Sequence, residues 1–380
     1  MEAEPTVLPG SLGVGMDDAR TATTLRRLFA RRLARRSLVD RSYGDPRGTP
    51  ALRAEIAAYL GAARGVKCTA DEVIVTSGSQ QGLDLVVRAT LRPGDPVWIE
   101  DPCYPMALAA FRGAGLRVTG VPVDGEGLSV VAGAARRPNA RAVYVTPSHQ
   151  FPLGVVLTMA RRLELVDWAK RVGAWIFEDD YDSEFRHAGA PLASLQGIDD
   201  GGRVVYLGTF SKALTPALRV GYVVAPPALV EPIVEVKART DRFAPRLIED
   251  VLAVLMAEGH FAAHIRRARR RAREARDALV EGLRATPLAV TVPDQGLHLI
   301  ADLPEGSDDV ALLPVLRSAG LGARALSTCF VEAPARHGLV IGFSGFPPEV
   351  LEAAARGVAP EIERALEARI RSSQRRAAGE

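Results

Sequence analysis

Short β-branched runs recur along this chain. Each is closed by a turn of small or charged residues and followed by a stretch of helical periodicity. Val73–Val75 runs into Ser77-Gly78-Ser79-Gln80 and then a helical stretch toward Leu91. Val97–Ile99 leads through residues 100–105 to a helix over Met106–Arg112. A strand inside residues 140–145 enters a Pro-punctuated loop, and Ala174–Phe177 ends in an acidic cluster. Strands alternating with helices in this way predict an α/β fold. Open α/β sheets bind ligands beyond the C-terminal ends of their strands. The residues at these turns are therefore the candidates for chemistry.

Composition narrows the field without deciding it. A chain of 380 residues has room for a large domain and a smaller one. The net charge of +3 makes no case for a nucleic-acid partner. Cys68, Cys103 and Cys329 lie far apart, with no metal-ligand spacing, and fit a reducing compartment. The N-terminal residues lack the order of a signal peptide, and no apolar run has the length of a membrane helix. A cytoplasmic protein with no membrane partner and no metal is expected. In 19–38, Leu25, Leu28, Phe29, Leu33 and Leu38 recur between arginines. We read this as a packed amphipathic helix with a solvated basic face.

The stretch 203–222, RVVYLGTFSKALTPALRVGY, carries the sharpest signal. A buried strand (Val204–Leu207) ends in small residues and then Lys212. A lysine at a buried strand end is easily desolvated, which lowers its pKa and frees the amine to attack a carbonyl. Arg219 follows seven residues later, a fixed cation suited to a phosphate. Hydroxyl, lysine, spacer, arginine and Gly-Tyr form the pattern of a lysine in Schiff-base linkage with pyridoxal 5'-phosphate (PLP). Taken alone, Lys212 also reads as a solvated loop lysine.

Three further turns bear on that choice. The 77–80 turn feeds a helix N-terminus, where free N–H groups and the helix dipole attract an anion. Tyr104 sits just past a strand end, where its ring can stack on a flat cofactor or simply pack. Glu178, Asp179, Asp180, Asp182 and Glu184 lack the spacing of a Ca²⁺ loop. A carboxylate at a strand end can instead pair with a buried pyridinium nitrogen. In that reading Asp179 is the partner and Tyr181 donates to the ring's phenolic oxygen. His149 has no carboxylate nearby in sequence and is a weak candidate for a catalytic base. In the helix at 159–173, Leu163, Val166, Trp168 and Ala169 are expected to face inward.

Taken together, SYGDPRGTPALR, TSGSQQGLDL, EDPCYP, VTPSHQFPLG, FEDDYDSEF, GTFSKALTPALRVGY and AEGHFAAHIRRARR resemble the fold-type-I PLP enzymes of the aspartate aminotransferase superfamily. More narrowly, they resemble the aminotransferase-like domain of MocR/GabR-type proteins. The resemblance covers roughly residues 40–350. It implies a large domain with a mostly parallel seven-stranded sheet and a small C-terminal α/β domain. The corresponding divisions are an N-terminal arm and helix (1–40), a PLP-binding domain (41–283), a small domain (284–370) and a disordered tail (371–380).

The resemblance also implies roles. Lys212, Asp179 and Tyr181 would be catalytic. Ser79, Gln80, Ser211 and Arg219 would hold the phosphate, and Tyr104 would stack on the ring. Tyr43 would reach the phosphate of the neighbouring subunit of a homodimer. The substrate side departs from the family. Val340 stands where many aminotransferases carry the arginine that clamps the substrate carboxylate; Arg324 and Arg336 are the candidates to replace it. His149-Gln150-Phe151-Pro152-Leu153-Gly154 replaces the usual Asn-Pro-Thr-Gly loop, in a regulator-like version. Cys329 and Phe330 stand where tyrosines are common, and Ala268 and Ala272 where Met and Tyr are. About forty residues precede SYGDP, too few for the winged-helix domain of the regulators. The expected function is a PLP-dependent enzyme acting on an amino acid or amine, with transamination first. Elimination, replacement, cyclisation or decarboxylation is one alternative, and a ligand-sensing regulator domain is the other.

Overall fold

The structure, a computed structural model, describes residues 7–35, 43–189 and 192–367. The C-terminal tail from 371 lies outside the described residues.

Eight strands build the large sheet: β1 (Val73–Thr76), β2 (Pro96–Asp101), β3 (Arg117–Asp124), β4 (Gly127–Leu128), β5 (Ala142–Val145), β6 (Trp175–Asp180), β7 (Val204–Thr209) and β8 (Gly221–Val224). Their order is β1-β8-β7-β6-β5-β2-β3-β4. From β7 through β6, β5 and β2 to β3 the strands run parallel. β8 is antiparallel to both β7 and β1. The sheet is thus the mostly parallel one expected, with seven main strands. The two-residue β4 is an addition on the β3 edge. β1, β2, β5 and β7 are buried at every position, as strands covered on both faces must be.

The covering helices are α1 (Ala19–Leu33), α2 (Pro50–Arg64), α3 (Ser79–Thr90), α4 (Pro105–Gly113), α5 (Val130–Arg136), α6 (Met159–Val172), α7 (Leu195–Ile198), α8 (Pro227–Thr240), α9 (Arg246–Ala257) and α10 (His260–Leu283). α2 shows why such a sequence folds so. Pro50 opens its first turn, Gly65 closes it in the left-handed region, and Leu52, Ile56 and Leu60 form a fully buried stripe. Each such side chain contributes about 1.5–3 kcal/mol relative to exposure. The arginines of α1 are not merely solvated: Arg32 pairs with Asp250 and Arg31 with Glu258.

In α6 the inward stripe differs from the expected one. Val166, Trp168 and Ala169 are buried with Leu165, whereas Leu163 is 51% exposed. The inward place on that turn belongs to Arg162, whose guanidinium donates to the carbonyls of Leu157, Pro147 and Ala193. Hydrogen bonds from all three side-chain nitrogens offset the cost of burying this arginine, which a count of apolar residues misses.

The C-terminal unit is an antiparallel sheet in the order β11-β12-β10-β9, made of β9 (Ala289–Thr291), β10 (His298–Asp302), β11 (Arg324–Ala325) and β12 (Gly338–Gly342). Helices α11 (Asp309–Ser318) and α12 (Pro348–Gly357) pack on it. α10 joins the two units. Phe261 and Ile265 sit in the large-unit core, while Ala268 through Leu283 sit in the small-unit core. The N-terminal arm is pinned to both. The Gly342 N–H donates to the Gly10 carbonyl at 2.8 Å, and the Met16 N–H donates to the Lys212 carbonyl at 3.1 Å. No described helix is long and apolar enough to cross a membrane.

Candidate active site

The C-terminal ends of β1, β2, β5, β6 and β7 surround a cavity of about 260 Å³. It is lined by Ser79, Gln80, Tyr104, Tyr144, Asp179, Tyr181, Ser211, Lys212, Arg219 and Arg324, among others. Every residue expected to act on or hold the cofactor lines this cavity except Tyr43. That residue is 75% exposed, with Arg242 over its ring at 4.6 Å and Phe243 at its edge.

Lys212 follows β7 in the turn after Thr209. Among the described residues its amine makes no hydrogen bond. The protein packed round it holds its pKa below the usual lysine value, although Asp182 and Asp179 pull the other way. A Cβ built on Gly13 of the arm would lie 3.3 Å from that amine, so the arm passes directly over it.

Opposite stands Asp179, at the end of β6. The Tyr144 hydroxyl on neighbouring β5 donates to its Oδ2 at 2.6 Å. Its Oδ1 is buried without a partner. Burial pushes the Asp179 carboxyl up to about 6, with the Tyr144 hydrogen bond opposing the rise. Of the other acids of the cluster, Asp182 also lines the cavity, whereas three are engaged outside it. Glu178 accepts from the N–H groups of Leu195 and Gln196, Asp180 pairs with Arg64 at 2.8 Å, and Glu184 accepts from the Tyr59 hydroxyl. Strand alternation sends Glu178 and Asp180 away from the side that carries Asp179.

The far end is an anion cradle. Gly78, at φ 90°, caps α3, so the first N–H groups of Ser79 and Gln80 are open. The Arg219 guanidinium donates to the Ser77 carbonyl at 2.9 Å and would lie 3.2–3.4 Å from a Cβ on Gly78. Arg219 itself takes a left-handed φ of 50°, an unfavourable conformation for a side-chain-bearing residue. The Ser211 N–H donates to Thr209 Oγ1, whose own hydroxyl donates to Ser211 Oγ at 3.0 Å.

Tyr104 opens α4 with its ring edge-on to Phe151 at 5.4 Å. Tyr181 lines the cavity, and its hydroxyl donates to the His149 carbonyl at 2.8 Å. His149 does have a carboxylate partner, supplied by the fold: Asp182 Oδ2 lies 2.9 Å from its Nδ1. His149, Asp182 and His298, all buried, bring ligand-type atoms within 4.8 Å of one another. His298 Nε2 is engaged by the Pro152 carbonyl. Tyr144, Thr209, Asp182 and His298 join the site without having been assigned a place in it from sequence; of the two candidate clamp arginines, Arg324 lines the cavity, whereas Arg336 pairs with Asp302 outside it. For Tyr144 a signal existed: a hydroxyl-bearing residue inside an otherwise apolar buried strand needs a partner.

A nucleophilic amine facing a partly free buried carboxylate, with an anion cradle at the far end, on a mostly parallel sheet with a small antiparallel unit: this combination defines the fold-type-I aminotransferase class. The chain belongs to the aminotransferase class I and II family, whose model matches residues 17–356. It is 38% identical over 307 residues to the probable rhizopine catabolism regulatory protein MocR of Rhizobium meliloti. That match covers 80% of this chain and 62% of the relative. The chain thus spans less than two thirds of that protein. It is 28% identical over 330 residues to aromatic-amino-acid aminotransferase 1 of Thermococcus litoralis, covering 84% and 79% of the two. Among solved structures, the α-aminoadipate aminotransferase LysN of Thermus thermophilus, in complex with N-(5'-phosphopyridoxyl)-L-leucine, superposes with a TM-score of 0.87. It shares 28% identity, over 95% of this chain and 93% of that one.

Proposed function

We propose that this chain is a PLP-dependent aminotransferase acting on an amino acid or amine, working as a homodimer in the cytoplasm. The observation that carries the reading is the pairing, across one cavity, of a lysine amine without a hydrogen bond and a buried, partnerless carboxylate oxygen on Asp179. The site fits the cofactor. Asp179 Oδ1 needs a donor, as a protonated pyridine nitrogen would be, and the 78–80 turn with Ser211 and Arg219 suits a phosphate.

PLP, when bound, supplies an aldehyde that condenses with amines and a ring that withdraws electrons from the attached carbon. The chain's residues do the rest. Lys212, with its lowered pKa, would bind the aldehyde carbon and, when free, would take and return the proton at the substrate carbon. Asp179, steadied by Tyr144, would hold the ring nitrogen in its protonated form. Tyr104 would pack on the ring, and Tyr181 would lie beside it. Tyr43, exposed on its own chain, would reach the phosphate held by the partner. The divisions at 41–283 and 284–370 serve as a cofactor-holding unit and a substrate-covering unit.

The regulatory relative at 38% identity favours a second reading, a sensor that binds PLP and an amine without turnover. An absorbance spectrum with a panel of amines and amino acids separates the two. Wild type should show a Schiff-base band, absent in Lys212→Ala, that converts to the amine form of the cofactor with a productive donor. Conversion followed by recovery with a keto acid supports the aminotransferase. A shifted band that never converts with any donor supports the sensor. No band in wild type would sink both.

A further inference from the structure

A lysine with no exposed surface lies outside the cavity, near the C-terminal end of α8. The Lys237 side chain is 0% exposed, and its ammonium donates to both oxygens of Asp241 at 2.8 Å each. Burying an ammonium is costly, and pairing offsets that cost without turning it into a clear gain. Asp241 is no better placed for the helix. It caps the C-terminal end of α8, where the helix dipole is already negative. An apolar residue at 237 and a neutral cap at 241 would serve α8 itself as well or better.

What the pair reaches is the anion cradle. Asp241 Oδ2 accepts from the Gln81 side-chain amide nitrogen at 2.7 Å. The other end of that amide, Oε1, accepts from the Ser77 N–H at 2.7 Å. The carboxylate decides which way the amide faces. Turned over, the amide would set its NH₂ against the Ser77 N–H and its oxygen against Asp241. Arg219 holds the Ser77 carbonyl at 2.9 Å, and the Thr76 hydroxyl donates to the Gly78 carbonyl at 3.0 Å. Gly78, at φ 90°, brings no side chain of its own to fix the turn. Both backbone polar groups of Ser77 are thus held from outside the turn, and the hold on its N–H runs back through Gln81 and Asp241 to Lys237.

We infer that Lys237 and Asp241 are positioning residues for the phosphate end of the site, acting through Gln81 to aim the N–H groups of Ser79 and Gln80. They touch neither the cavity nor the reacting atoms. Their effect is to keep the 77–80 turn in the one conformation that points the start of α3 at an anion. This explains a fully buried charge that the chemistry at Lys212 does not use. The inference rests on the PLP reading above, and the test keeps the two apart.

The test titrates apo-protein with PLP and with pyridoxal, which lacks the phosphate. The proteins are wild type, Gln81→Met and two double variants, Lys237→Met/Asp241→Ala and Lys237→Met/Asp241→Asn. Changing both members of the pair strands no buried charge. Gln81→Met and the Ala-bearing pair should each lose about five- to tenfold in PLP affinity, with pyridoxal affinity within about twofold of wild type. The Asn-bearing pair removes the same charges but keeps an oxygen for the Gln81 amide, and should recover most of the PLP loss. Unchanged PLP affinity in Gln81→Met, equal losses for PLP and pyridoxal, or equal PLP losses in the two pair variants would overturn the positioning role. In each of those cases a wild-type preference for PLP over pyridoxal leaves the cofactor reading standing. Wild type that binds pyridoxal as tightly as PLP would count against the phosphate cradle itself, and the positioning role would fall with it.

Discussion

The Tyr144 hydroxyl donates to Asp179 Oδ2 at 2.6 Å and leaves Oδ1 of the same carboxylate buried and unpaired. One oxygen is fixed by a neighbouring strand and the other is held ready. β5 and β6 are parallel neighbours, so the two side chains meet because of sheet order and not because of proximity in sequence.

Tyr144→Phe should therefore act through Asp179. Without the hydroxyl, the carboxyl loses a hydrogen bond that favours its charged form, and its pKa rises further from about 6. A hydrogen bond to a charged group contributes about 1.5–3 kcal/mol, so PLP affinity at neutral pH should fall about ten- to hundredfold. The pH at which affinity is half lost on acidification should move upward. Fluorescence titration of apo-protein with PLP across pH reads both. An unchanged pH midpoint would mean Tyr144 does not govern Asp179.

Gly221→Ala tests the anion cradle from behind. A Cβ there would sit 2.7–2.8 Å from the backbone of Gly78 and Ser79. These are backbone atoms, so the turn must shift. PLP affinity should fall at least about tenfold, because the helix N–H groups lose their aim. Binding of pyridoxal, which has no phosphate, should change little. Equal losses for PLP and pyridoxal would place the damage elsewhere.

Arg64 and Asp180 form an almost completely buried ion pair, with side-chain exposures of 7% and 1%. Ser148 accepts from the same arginine, and Tyr206 donates to the same carboxylate. Arg64→Leu strands a buried charge and should cost about 3–5 kcal/mol. Urea unfolding would show this as a lower midpoint at unchanged slope. Adding Asp180→Asn, which keeps an acceptor for Tyr206, should recover a large part of that loss. No recovery would mean the cost lies in lost packing and not in the unpaired charge.

The fold and the cofactor end of the site were legible because their signals are local. Strand, small-residue turn and helix follow one another within about twenty residues around Gly78, and strand, turn and strand do so around Lys212. The substrate end was not, because its contacts cross the chain. His149 finds its carboxylate at Asp182, and it takes the strand register opposite Val340 to tell Arg324 from Arg336. The inward place of Arg162 was hidden for a related reason, since the carbonyls it satisfies belong to loops whose course the sequence does not state. The acidic run after β6 looked like one cluster in sequence. Strand alternation and separate partners divide it: of the run, Asp179 and Asp182 line the cavity with the lysine, each with one oxygen buried without a partner among the described residues.

Glu100 should make a contribution to stability that is lost as pH rises through the weakly acid range. Its carboxyl is buried beneath the site and accepts from the Thr146 hydroxyl at 2.7 Å. Burial pushes it up from 4.5 to about 7. Between those values the folded chain keeps a proton that the unfolded chain has released. The slope of stability against pH is then negative, about 1.4 kcal/mol per pH unit for one proton, and it levels off above the folded pKa. Glu178 and Glu184, also pushed up to about 7 by burial, act in the same direction. Glu100→Gln keeps an acceptor for Thr146 and removes one titrating group. Apo-protein unfolded by urea at a series of pH values from about 4.5 to 7 should show the shallower slope in the variant, with the two proteins differing most near neutrality. Identical slopes would mean that Glu100 is already ionised throughout that range in the folded chain.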